Sequence, residues 1–132
     1  MGYRVEFDPA NKILLARFEG RLTDELLAEY YRAIRRYSIA TDASAGIMDL
    51  SSVTEFAVST ELIRQLANQE PAMPDASTRP RFIVTPNTLG FGLARMFQIM
   101  GEPARPLLKV VRTLDDALTE LGIQSPHFER LE

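Results

Sequence analysis

The chain has 132 residues, 45% of them hydrophobic and 25% charged, with a formal net charge of −3. That length suits one domain over residues 1–132, and that composition excludes a disordered chain. No basic stripe points to nucleic acid, and the lack of cysteine removes disulfides, thiolate nucleophiles and zinc–thiolate sites, as in a reducing cytoplasm.

The start, MGYRVEFD, has no apolar run after a basic stretch, so no secretory signal is read there. Gly2 lacks the Ser or Thr at position six that myristoylation needs, because Glu6 stands there. No apolar stretch is long enough for a membrane span. A soluble, cytoplasmic protein is expected.

Tyr3–Asp8 alternates apolar and polar residues and predicts a half-covered strand. Pro9-Ala10-Asn11 supplies a turn, and Lys12–Glu19 predicts the antiparallel partner, ended by Gly20. Thr23 then caps a helix whose Leu26, Leu27, Tyr30, Ala33, Ile34 and Tyr37 recur at helical spacing. Asp24 and Glu25 suit its positive end, and Arg32, Arg35 and Arg36 its negative end. Ala45–Leu50 reads as an interior strand, and a second helix is expected near Ser59–Gln69.

Glu70–Pro80, with three prolines, reads as a surface loop. Arg81–Val84 is the fourth predicted strand, Leu89–Met100 the third helix and Leu107–Arg112 the fifth strand. Thr113 and Asp116 form a capping-box start for the last helix, which Gly122 stops. The order β-β-α-β-α-β-α-β-α predicts an α/β fold with a mixed, mainly parallel five-stranded sheet and four helices. The first strand is expected at or near an edge, antiparallel to its neighbour.

The N-terminal hairpin, the strand MDLSSV leading to a Ser-capped helix, and the closing VVRTLDDALTELG resemble the SpoIIAA-like branch of the STAS domains. The helix GFGLARMFQ is similar to the matching segment of STAS/SEC14-like proteins in that branch. The resemblance runs from about Tyr3 to Gly122. It implies a four-turn β-α superhelix, a fold also used by proteins that bind partner proteins or lipids, and it does not imply an enzyme. In anti-sigma-factor antagonists of the wider family, the second serine of a D-S-S-G sequence is phosphorylated by a partner kinase. Ala57, Val58, Ser59 and Thr60 lie over that sequence here, and Ser59 alone matches it. Ser59 therefore has two readings. Its hydroxyl can cap the helix by accepting the N–H of Glu61 or Leu62, worth about 1 kcal/mol, or it can carry a phosphate at the positive helix end.

Three further constellations follow from the predicted order. The crevice beyond the carboxyl ends of the parallel strands would gather Asp49, Ser51, Ser52, Thr85 and Asn87, with Arg112 and Thr113, either as a polar site or as turns and caps. On the third helix, Leu89, Leu93, Met96, Phe97 and Met100 form a stripe expected to face the sheet. Phe91, Arg95 and Gln98, with Gly90 and Gly92 nearby, fall opposite as a candidate protein interface. Met96, Phe97 and Met100 are also candidates to line an apolar pocket.

His127, in the tail, is the only histidine, so Ser-His-Asp arrangements have no credible base. The carboxylates lack metal-ligand spacing, and Gly90-Phe91-Gly92 lacks the rest of a dinucleotide fingerprint. No metal or cofactor is expected. The sequence thus predicts a non-catalytic protein-interaction or regulatory module, forming a homodimer or binding a partner protein. The alternative is a binder of a small apolar or lipid-like ligand held between helices and sheet.

Overall fold

The computed structural model describes residues 2–131. The chain begins with an antiparallel pair, β1 (Tyr3–Asp8) and β2 (Ile13–Thr23). The Asp8 carboxylate accepts the N–H groups of Ala10 and Asn11 and so closes the turn between them. It also accepts the N–H of His127, which fastens the C-terminal segment to this corner. The remaining elements are α1 (Asp24–Thr41), β3 (Ala45–Ala57), α2 (Thr60–Asn68), β4 (Arg81–Val84), α3 (Thr88–Met100), β5 (Leu108–Val111), α4 (Leu114–Glu120) and β6 (Glu129–Arg130).

The sheet order is β5-β4-β3-β2-β1-β6, with β2 through β5 parallel. The expected α/β class and β-α order are present. The sheet has six strands where the sequence predicts five, because two residues of the C-terminal segment pair with β1. β1 thus lies next to the edge strand, within the expected position at or near an edge. Such a strand escapes sequence reading because two residues carry no periodicity.

From β2 to β5 the chain steps across the sheet in one direction, so successive right-handed crossovers place their helices on one face. Tyr30 and Ile34 of α1 and Ala94 of α3 pack there with Leu14, Phe18, Leu50 and Ile83 of the sheet. The other face receives α4, whose Ala117 and Leu118 cover Leu15, Ile47 and Val84. With only seven residues, α4 covers part of that face. The uncovered part, over β1, β2 and β3, carries Arg4, Glu6, Arg17 and Asp49 instead of hydrocarbon.

Two strands run beyond their predicted ends. Gly20, at φ +76°, does not stop β2; it sits at an irregularity where β3 gains a residue on its partner. β3 carries a second such bulge between Asp49 and Ser52 and continues to Ala57, not Leu50. β2 and β3 therefore project as a two-stranded ribbon past the last pair that each makes with its outer neighbour, Phe18 with Tyr3 and Asp49 with Val84. Likewise α1 runs to Thr41, which leaves Arg32, Arg35 and Arg36 in mid-helix and no basic residue in the last turn. The loop before β4 is not confined to the surface. Ala72 and Met73 are buried, and Met73 lies so near Gly46 that a Cβ there would come within 2.9 Å of its Cε.

Arg105, in the segment between α3 and β5, is 2% exposed. It donates to the carbonyls of Ala67, Leu66 and Gln69 at the C-terminal end of α2, at 2.9, 3.0 and 3.0 Å, and to the Tyr31 hydroxyl of α1 at 2.8 Å. Its guanidinium also lies 4.9 Å from the centroid of the Phe97 ring on α3. α2 has no basic residue in its last turn, so this remote arginine supplies the positive charge that its carbonyl end favours. Gly101 makes the approach possible, since a Cβ there would fall 2.8 Å from Arg105 Nη1.

Two substitutions test this packing by urea denaturation. Gly90→Ala would place a Cβ 2.4 Å from Phe56 Cζ and 2.5 Å from Thr85 Oγ1. Helix propensity alone favours Ala by about 1 kcal/mol, whereas overpacking destabilises by about 1–3 kcal/mol. The expected outcome is net destabilisation, so a more stable variant would refute the close contact. Arg105→Met strands the α2 carbonyls and is expected to lower stability by about 3 kcal/mol. Arg105→Lys should recover only part of that loss, because an ammonium cannot reproduce the planar fork.

Candidate functional site

Ser59 is the N-cap of α2, in extended backbone at φ −82° and ψ 150°, and its Oγ accepts the Leu62 N–H at 3.1 Å. The same hydroxyl donates to Asp24 Oδ2 at 2.7 Å, and the Ser59 N–H donates to Asp24 Oδ1 at 2.8 Å. Asp24 opens α1, just after its cap Thr23, which accepts the Leu26 N–H. One carboxylate thus ties the starts of two helices together. Both functions of the Ser59 hydroxyl are engaged, and a negative charge already stands at the place a phosphate would enter.

The expected crevice does not form as one site. Ser51 and Ser52 lie inside β3, not in a loop beyond it, because that strand runs on. Asp49, buried on the less covered sheet face, accepts from the Ser51 N–H and hydroxyl and pairs with Arg17 at 3.7 Å. Asp49 and Ser52 line a polar recess of about 260 Å³ with Arg4, Arg17, Glu19 and Arg130. Thr85 is fully buried apart from them, with Oγ1 against Gly90 and no hydrogen-bond partner. Asn87 caps α3 by accepting the Gly90 N–H, and Thr113 caps α4 by accepting the Asp116 N–H. Arg112 donates to the Pro86 carbonyl and covers the Phe91 ring at 3.8 Å. Only Asp49, Ser51 and Ser52 come together.

α3 is rotated from the expected orientation. Its innermost residues are Gly90 and Ala94, the small ones, with Leu93 and Phe97 flanking them. Phe91 is half-buried beneath Arg112, so it offers no outward anchor. Gln98 is half-buried too and donates to the Leu108 carbonyl at 2.7 Å, which fastens α3 to β5. Of the three proposed interface residues, Arg95 alone lies on the exposed side, where it donates to Gln98. Leu89, expected inward, is 58% exposed, and Met100 is 38% exposed. With half-buried Met96 and 61% exposed Ile99 they follow the outer face of the helix around Gly92, which has open space beside it.

The physical reason is distance. A helix that approaches a sheet through Gly90 and Ala94 gains contact by backbone proximity, and larger side chains on that face would hold it away. The spacing of Gly90 and Ala94, four residues apart, was the signal in the sequence, but a count of apolar positions outweighs small residues. The candidate pocket shifts for the same reason. A cavity of about 80 Å³ lies between the sheet and α1, α2 and α3, and Phe97 lines it. Met96 and Met100 do not. Arg81, which sequence reasoning treated only as a strand residue, contributes to its wall.

Among the described residues, no group of three or more His, Cys, Asp or Glu side chains is placed to hold a metal ion. Among them, too, no helix is long and apolar enough to cross a membrane.

The Ser59–Asp24 contact yields a stability test. Ser59→Ala removes the cap and is expected to destabilise by about 1 kcal/mol. Ser59→Asp still offers a capping oxygen but sets a second carboxylate against Asp24, so its thermal midpoint should fall below that of Ser59→Ala. Adding Asp24→Asn should restore it. A Ser59→Asp variant as stable as wild type would contradict the contact.

No family model and no curated protein matches the sequence. Solved structures do match it. One is the phosphorylated form of the Bacillus cell fate determinant SpoIIAA, 14% identical, with a TM-score of 0.56 over 90% of this chain and 98% of that one. Another is an anti-sigma factor antagonist from Mycobacterium paratuberculosis, 20% identical, with a TM-score of 0.56 over 91% of this chain and 92% of that one. The similarity spans nearly the whole chain in both, and the polypeptide therefore has the SpoIIAA-like fold.

Proposed function

We propose that this chain is a non-catalytic, cytoplasmic regulatory module that works by binding another protein through the outer face of α3. The observation that carries the reading is the exposure of Leu89, Ile99 and Met100 along one helix. Solvent-exposed hydrocarbon contiguous on one element marks a contact surface more often than scattered single residues do. Gly92 lies within this face with nothing near its missing Cβ, so a partner backbone can approach closely. Arg95 at the margin supplies a charged rim. The likeness to an anti-sigma factor antagonist supports a regulatory use of the fold.

Control by phosphorylation of Ser59 forms no part of this reading, although one similar structure is of a phosphorylated protein. A phosphoryl group on Ser59 Oγ would stand against the Asp24 carboxylate, now 2.7 Å away, and would displace the hydrogen bond that joins α1 to α2. Regulation in this module is binding itself.

A photo-crosslinking residue placed at Ile99 in the native cell tests the proposal, with one at exposed Thr119 on α4 as control. The expected result is a discrete protein adduct from position 99 and none from 119. Leu89→Asp should weaken its formation about tenfold or more, the effect of losing one central apolar anchor. An adduct with a second copy of the chain would identify the homodimer, and one with a different protein a hetero-complex. No adduct above the control would overturn the assignment.

A further inference from the structure

The second half of α1 carries Arg32, Arg35 and Arg36, all exposed, with Ile39 one turn further on at 61% exposure. At 3.6 residues per turn these four positions fall within an arc of about 100° on the outer side of the helix. The inner side, with Tyr30, Ala33 and Ile34, belongs to the core. Elsewhere the arginines of this chain find carboxylates. Arg4 and Arg17 share Glu6, Arg21 holds Glu55, Arg64 holds Glu61 and Arg79 holds Asp42. Arg32, Arg35 and Arg36 make no hydrogen bond or ion pair with any described residue, not even with Glu29 one turn before them.

Nothing within the fold accounts for these three charges. They stand before the last turn of α1, out of range of the helix end that favours cations. Arg32 repels Arg35 at a spacing of three and Arg36 at a spacing of four, which weakens the helix that carries them. A charge cluster that opposes its own helix and has no internal partner points to an external one.

Three features define that partner. A guanidinium fork matches a carboxylate in plane and in charge. The exposed Ile39 beside the cations adds hydrocarbon to the contact, as at the centre of protein interfaces. The chain carries a net charge of −3 even with these three cations counted, so the rest of it is acidic. An extended polyanion, such as an anionic bilayer or a nucleic acid, would reach past the stripe and meet repulsion from that remainder. A short acidic segment would meet the stripe alone.

We infer that the outer side of α1 docks an acidic segment of a partner protein, its carboxylates paired with Arg32, Arg35 and Arg36 and an apolar side chain set against Ile39. The surface lies on a different helix from the one under Proposed function and is tested at position 39, so a failure here leaves the α3 proposal untouched.

A photo-crosslinking residue at Ile39 in the native cell, with Thr119 as control, captures the occupant, and mass spectrometry maps the joined segment. That segment is expected to carry at least about three Asp or Glu residues within roughly two helical turns. A synthetic peptide of the mapped sequence is then titrated into the purified full chain and followed by amide NMR. Shifts should centre on residues 32–39, and binding should weaken as salt is raised. Replacing the acids of the peptide by Asn and Gln, or combining Arg35→Gln with Arg36→Gln in the chain, should weaken binding about tenfold or more. The thermal midpoint of that double variant should hold or rise, because like-charge repulsion is relieved. A clear fall would show the arginines to be structural and overturn the inference. So would the absence of an adduct above the control, a mapped segment without clustered acids, or an adduct with lipid or nucleic acid. Peptide binding indifferent to both substitutions would overturn it as well.

Discussion

A guanidinium taken out of water without a carboxylate must find other acceptors, and Arg105 finds them in the carbonyls at the end of α2 and in the Tyr31 hydroxyl. Both partners of this arrangement would be unfavourable alone. The helix end would lie under the fold with open carbonyls, and the arginine would be a buried charge. Together they join α1, α2 and the segment after α3, with the Phe97 ring beside the cation. That one side chain thus helps set the relative positions of the helices above the sheet, together with the Ser59–Asp24 bond at their other end.

The second constraint is how closely α3 sits on the sheet. Gly90 lies against Phe56 and Thr85, and Phe56 comes from the part of β3 that projects beyond its outer neighbour β4. The extension of β3 thus fills the end of the sheet where an open crevice was expected. It also fixes the rotation of α3, turning Gly90 and Ala94 inward and leaving Leu89, Ile99 and Met100 in water. The burial of small residues and the exposure of large apolar ones on one helix are a single geometric fact. The proposed contact surface is its consequence.

Much of the local structure was legible in the sequence because it rests on short-range chemistry. Thr23, Ser59 and Thr113 accept N–H groups three residues on, as their positions at helix starts imply. Arg81–Val84 begins and ends where the sequence predicts. The site was much less legible. Asp49, Ser51 and Ser52 do meet, but Thr85 and Asn87 belong to other places, because bulges in β3 changed which residues end the strand. Phe91 and Gln98 were placed outward by angle alone, while Arg112 and Leu108, far along the chain, draw them in.

Sequence by itself determined the order of elements, their caps and the parallel α/β class, since each depends on residues within a few positions of one another. Tertiary structure decided the rotation of α3, the pairing of β6 with β1, the Ser59–Asp24 bond and the burial of Arg81 and Arg105. These depend on contacts between residues tens of positions apart. Periodicity registers how apolar a helix face is, and it contains no term for how near a distant backbone will come.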